Sequence, residues 1–116
     1  MMRIRKSAVY ERQLEGFAED YRDRAGIEIA YNFLDGIDES VEFIGKMPKA
    51  CMVAHDLKLV EGLEEYEFRR WKVRGFPHSI FFRITDDRTI LLEAIYAQKM
   101  DITNRLPSDI DVMGNR

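Results

Sequence analysis

Cysteine, proline, histidine and tryptophan are scarce in this 116-residue chain: one Cys, three Pro, two His and one Trp. A single thiol excludes an internal disulfide framework and fits a reducing compartment, so the expected location is cytoplasmic. No histidine stands in a recognisable partner motif with Cys51, which therefore reads as a buried thiol rather than a nucleophile. Two histidines and one cysteine, far apart, offer no metal-ligand spacing, and neither a metal nor a cofactor is expected. No apolar run approaches the roughly 18 residues needed to cross a bilayer. Met1-Met2-Arg3-Ile4-Arg5-Lys6 is charged but has no apolar stretch behind it, which argues against a secretory signal. Repeats, low-complexity tracts and interdomain linkers are also missing, so residues 1–116 read as one domain, with a frayed tail from about residue 107.

Charge is unevenly distributed. The formal net charge is -3, yet residues 67–88 hold six Lys/Arg against three Asp/Glu, while residues 1–66 hold nine against fourteen. The excess sits in Phe68-Arg69-Arg70-Trp71-Lys72-Val73-Arg74. Read as a strand, this run puts Trp71 and Val73 on one face and Arg70, Lys72 and Arg74 on the other. A concentrated basic face is where an anionic partner would land.

The elements follow from periodicity. Arg3 to Lys6 suits a brief edge strand, and Ser7 is placed to cap a helix. Tyr10, Leu14, Phe17, Ala18 and Tyr21 mark one face of that helix, and Gly26 ends it. Ile27, Ala30, Leu34, Ile37, Val41 and Ile44 mark a second helix, stopped by Pro48, with Glu28, Asp35, Asp38, Glu39 and Glu42 as its solvated face. So short a link predicts an antiparallel hairpin whose Leu14/Phe17/Tyr21 and Leu34/Ile37/Val41 faces meet each other and the Trp71/Val73 face. Residues 49–66 hold a helical turn or short strand near His55–Val60, then a loop. The sheet begins near Glu67, and Gly75-Phe76-Pro77 breaks it. Ile80, Phe82 and Ile84 form the buried face of the next strand, and Asp86-Asp87-Arg88 makes a turn. The last strand has Ile90, Leu92, Ala94 and Tyr96 on one face and Leu91 and Ile95 on the other, as a central strand should.

This succession, with Arg70-x-Lys72, Pro77-His78-x-Ile80-Phe81-Phe82-Arg83 and Lys99-Met100-Asp101-Ile102, resembles the ParE/RelE toxin superfamily from Arg3 to about Leu106. The resemblance implies an α+β fold: a short N-terminal strand and an α-helical hairpin packed on a twisted antiparallel β-sheet. It also implies the toxin half of a bacterial type II toxin–antitoxin (plasmid stabilisation) module that inhibits growth and is neutralised by a cognate antitoxin. A homodimer or a toxin–antitoxin hetero-oligomer is the expected assembly, with no membrane partner.

Two activities occur in the superfamily. RelE-like members are ribosome-dependent messenger RNA endoribonucleases, whose chemistry needs a proton acceptor, a proton donor and cations around the phosphate. Here that set would be Arg70, Lys72, His78 and Lys99. His78 stands where the family has an arginine, Lys99 replaces another, and no tyrosine or histidine follows. ParE-like members trap DNA gyrase on cleaved DNA and need no catalytic set. A histidine opening an aromatic strand that ends in Arg83, and Lys99-Met100-Asp101 after the last strand, resemble that branch more closely. The expected function is therefore gyrase inhibition, with Arg70, Lys72, Arg74, His78, Arg83, Lys99, Met100 and Asp101 as partner-binding residues. The alternatives are the nuclease and an inactive member of the fold serving as a binding module.

Overall fold

The computed structural model describes residues 2–97, 105–107 and 109. Ser7 begins the first helix as expected. Its Oγ accepts a hydrogen bond from the Tyr10 N–H at 2.9 Å, so one orphan donor of helix α1 (Ala8–Ala25) is satisfied. A single residue, Gly26, joins α1 to α2 (Ile27–Lys46), and its φ of 99° is one that a side chain would strain. The hairpin anticipated from the sequence is present. Its buried stripe is shifted from the expected one: Phe33 is fully buried, Leu34 and Val41 are half-buried and Ile27 is exposed. Phe33 instead of Leu34 faces the sheet because Phe33, Ile37, Ser40 and Ile44 share the inner side of α2 at spacings of three and four.

Five strands form the sheet: β1 (Ile4–Lys6), β2 (Met52–Val53), β3 (Arg69–Lys72), β4 (His78–Ile84) and β5 (Ile90–Ala97), in the order β1-β5-β4-β3-β2. The expected α+β architecture holds, with one correction. β1 pairs with β5 in parallel, so the sheet is mixed instead of wholly antiparallel. The crossover between these parallel neighbours is everything from α1 to β4, since β1 ends at Lys6 and β5 begins at Ile90. Residues 48–66 contain 3-10 turns at Pro48–Ala50 and His55–Leu59 and, between them, the strand β2, which the sequence did not indicate.

Both faces of the sheet are covered. The hairpin packs on one face, over Val73, Ile80, Phe82, Ile90, Leu92 and Ile95. α2 approaches β3 closely at Gly36, where an added Cβ would lie 3.1 Å from Val73. The other face carries Phe81, Ala94 and Tyr96 under Ala54, Leu57, Leu63, Phe68 and Leu106. β5 is therefore central and buried, but it does not alternate as the sequence suggests. Phe81 pairs with Ala94 and Phe82 with Leu92, leaving Glu93 as an extra residue. This bulge reverses the alternation, so Ile90 and Leu92 face the hairpin while Ala94 and Tyr96 face away. α1 secures the bulge: Ser7 Oγ donates to the Glu93 carbonyl at 2.7 Å, and Gln13 Oε1 accepts from the Ile95 N–H at 2.7 Å.

The frayed tail expected from about residue 107 falls mostly outside the described residues. Within them, 105–107 are helical, Leu106 is buried, and Asp109 bonds the Tyr96 hydroxyl. Among the described residues no helix is long and apolar enough to cross a membrane.

Candidate functional site

The sheet face turned away from the hairpin carries a cavity of about 770 Å³ beside β3. Arg70 and Lys72 stand on its rim, two residues apart on one side of the strand, as the alternation requires. Met52 from β2 and Ser79 from β4 complete the accessible wall, and the buried rings of Phe81 and Tyr96 form the base. Phe81 and Tyr96 meet edge-on with centroids 5.7 Å apart. Burial first, then the Asp109 carboxylate, holds the Tyr96 phenol well above its usual range, so this ring is no proton donor or acceptor near neutrality.

Neither cation on the rim is neutralised by a carboxylate among the described residues. Lys72 Nζ donates to the Phe76 carbonyl at 2.8 Å, which fixes its ammonium beside the 74–76 turn. Arg70 Nη2 lies 3.6 Å from the Met52 sulfur, a weak acceptor. A larger cavity, of about 820 Å³, opens between Arg5, Arg69 and Arg83 and the acids Glu65, Glu67, Asp86 and Asp87. Two of its three cations are already matched, since Arg69 pairs with Glu67 at 2.9 Å and Arg83 with Glu93 at 2.7 Å, and four carboxylates line the cavity beside Arg5. Size favours that cavity, but unneutralised charge favours the Arg70/Lys72 face as the place where a partner would gain most.

The other residues expected at the site are dispersed. Arg74 has left the strand and is exposed in the turn before Gly75, so the basic face holds two cations from β3 and not three. His78 is on the opposite side of the sheet. It is buried beneath the hairpin, with ring centroids at 4.4 Å from Phe17, 5.0 Å from Phe33 and 5.8 Å from Tyr21. Its Nδ1 has no hydrogen-bond partner among the described residues. Burial, reinforced by the Lys72 charge, pulls its pKa below the ordinary value. A histidine there is neutral packing material and does not meet a ligand on the Arg70/Lys72 face. Arg83 is committed to Glu93, and its guanidinium lies 4.7 Å from the centre of the Tyr66 ring. Lys99, Met100 and Asp101 lie outside the described residues.

Glu93 was absent from the sequence expectations, although a lone carboxylate in Ile90–Ala97 is a readable signal, because a buried acid needs a partner. Gln13 had no such signal; its role depends on a contact 82 residues away. Among the described residues no group of three or more His, Cys, Asp or Glu could hold a metal ion.

Residues 3–102 match a family described as the ParE toxin of the type II toxin–antitoxin system, parDE. A solved structure titled "Chromosomal ParDE TA system from P. aeruginosa" is similar, with a TM-score of 0.66 at 20% identity over 84% of this chain and 96% of that one. At that identity the likeness establishes a shared fold. No curated protein matches significantly.

Proposed function

Because the chain belongs to the ParE toxin family of type II toxin–antitoxin systems, we propose that it acts as a DNA gyrase poison and is silenced by a cognate antitoxin covering the Arg70/Lys72 face. The observation that carries this reading is the burial of His78 beneath the hairpin among Phe17, Tyr21 and Phe33, away from the cavity that Arg70 and Lys72 line. Ribonucleolytic transfer requires a base, an acid and cations gathered around one phosphate. Among the described residues the accessible face offers only the cations. A toxin that stabilises another enzyme's cleaved intermediate needs surface, not a proton relay. The same face suits the antitoxin, because two unneutralised cations above an apolar base complement an acidic amphipathic segment.

Purified protein should inhibit gyrase supercoiling and accumulate cleaved DNA in a gyrase-dependent manner while translated messages stay intact. Arg70→Glu with Lys72→Glu should slow antitoxin association and flatten its salt dependence. Codon-phased cleavage of messages with normal supercoiling would overturn the gyrase reading in favour of the nuclease. Neither effect would leave a binding module.

A further inference from the structure

Helix α2 is apolar on two sides. Its inner stripe is buried on the sheet, but Ile27, Ala30, Tyr31 and Leu34 form a second stripe at i, i+3, i+4 and i+7. Leu14 and Ala18 of α1 face this stripe, and together they bound a groove of about 610 Å³ on the hairpin. The two alanines keep its floor low, so another backbone can approach. Ile27 is 53% exposed and Tyr31 58% exposed, a large apolar area to leave in water. Glu11, Glu15 and Glu19 run along the α1 edge at four-residue intervals, and none has a salt-bridge partner among the described residues. Lys6 and Arg22 stand at the groove's rim as well, with Arg22 contacting Asp23 at 3.5 Å. Spacing of this kind matches the way one helix receives another, and the glutamate edge specifies the charge of the incoming one.

We propose that this groove docks an amphipathic helix of a protein partner, laid against α1 and α2 as the third helix of a bundle, with lysines or arginines on the flank facing Glu11, Glu15 and Glu19. The site is distinct from the Arg70/Lys72 face and opposite to it in charge preference. One surface takes an acidic segment and the other a basic helix, so the two can be occupied independently. The inference does not depend on the gyrase reading, since it concerns a different surface.

The test uses the full chain and two synthetic 18-residue helical peptides with the same leucine heptad seam, one flanked by lysine and the other by glutamate. Fluorescence anisotropy should show the lysine peptide binding at least tenfold more tightly than the glutamate peptide. Ile27→Asp and Tyr31→Asp, both at exposed positions, should weaken it at least tenfold with unfolding midpoints unchanged. Glu11→Lys, Glu15→Lys and Glu19→Lys together should reverse the preference toward the glutamate peptide. Equal binding of both peptides, binding indifferent to Tyr31→Asp, or no binding at all overturns the proposal. So does sedimentation showing that a second copy of the chain fills the groove, with Tyr31→Asp yielding monomers.

Discussion

Replacing Phe33 by alanine tests how the hairpin is anchored. The ring is fully buried, with centroids at 5.0 Å from His78, 5.1 Å from Tyr21, 5.3 Å from Phe76 and 6.4 Å from Phe17. Truncating a buried phenylalanine costs about 3–5 kcal/mol through lost transfer energy and the cavity left behind. Aromatic pairs add roughly 0.5–1.5 kcal/mol each beyond their area, which rules out the low end of that range and sets the expected cost at about 4 kcal/mol or more. With 116 residues at about 2.1 cal/mol/K each, the unfolding entropy is about 0.24 kcal/mol/K, so the midpoint should fall by roughly 17 °C. Leu34→Ala is the control. Leu34 is half-buried at the groove and should cost about 1–2 kcal/mol. Urea titration with unchanged slope measures both. If Phe33→Ala costs less than Leu34→Ala, the inner and outer faces of α2 have been interchanged and the groove argument fails with them.

Two further outcomes follow from buried charge. The His78 pKa is depressed in the folded chain, so the unfolded chain binds the proton first as pH drops. Stability should be constant above the ordinary 6.5 and decline below it toward the depressed native value. In His78→Leu, denaturation measured between pH 7.5 and 5 should lose that component of the slope; an unchanged slope would show that the imidazole takes no part in it. Arg83→Ala should destabilise by about 3–5 kcal/mol, because it strands the buried Glu93 carboxylate. Arg83→Ala with Glu93→Leu should recover part of that loss in the same titration, and failure to recover would assign the cost to Arg83 packing on Tyr66 instead.

Much of this architecture depends on short-range rules and can be read from the chain. The Ser7 cap, the Gly26 break, the two helices and the Trp71/Val73 versus Arg70/Lys72 alternation each involve residues only a few positions apart. The family, too, was legible in the order of motifs from β1 to the end of β5. The candidate site was legible in half: Arg70 and Lys72 are where alternation puts them, whereas His78 also obeys alternation but on the other face. Its polar character suggested a surface position, yet Phe17, Tyr21 and Phe33 of the hairpin close over it.

By itself the sequence determined the two helices, the strands β1, β3, β4 and β5, and which strand carries clustered positive charge, since these are set by local periodicity, whereas the two-residue β2 is too short to leave a period. Tertiary structure alone decided that β1 lies parallel to β5, that Phe33 replaces Leu34 in the core, and that Tyr96 turns away from the hairpin. Each of these is settled by pairing between distant segments. A single extra residue at Glu93, held by Ser7 from 86 positions earlier, reverses the faces of β5 after it. No local pattern encodes that contact, because alternation along one strand is silent about where its partner slips by one residue.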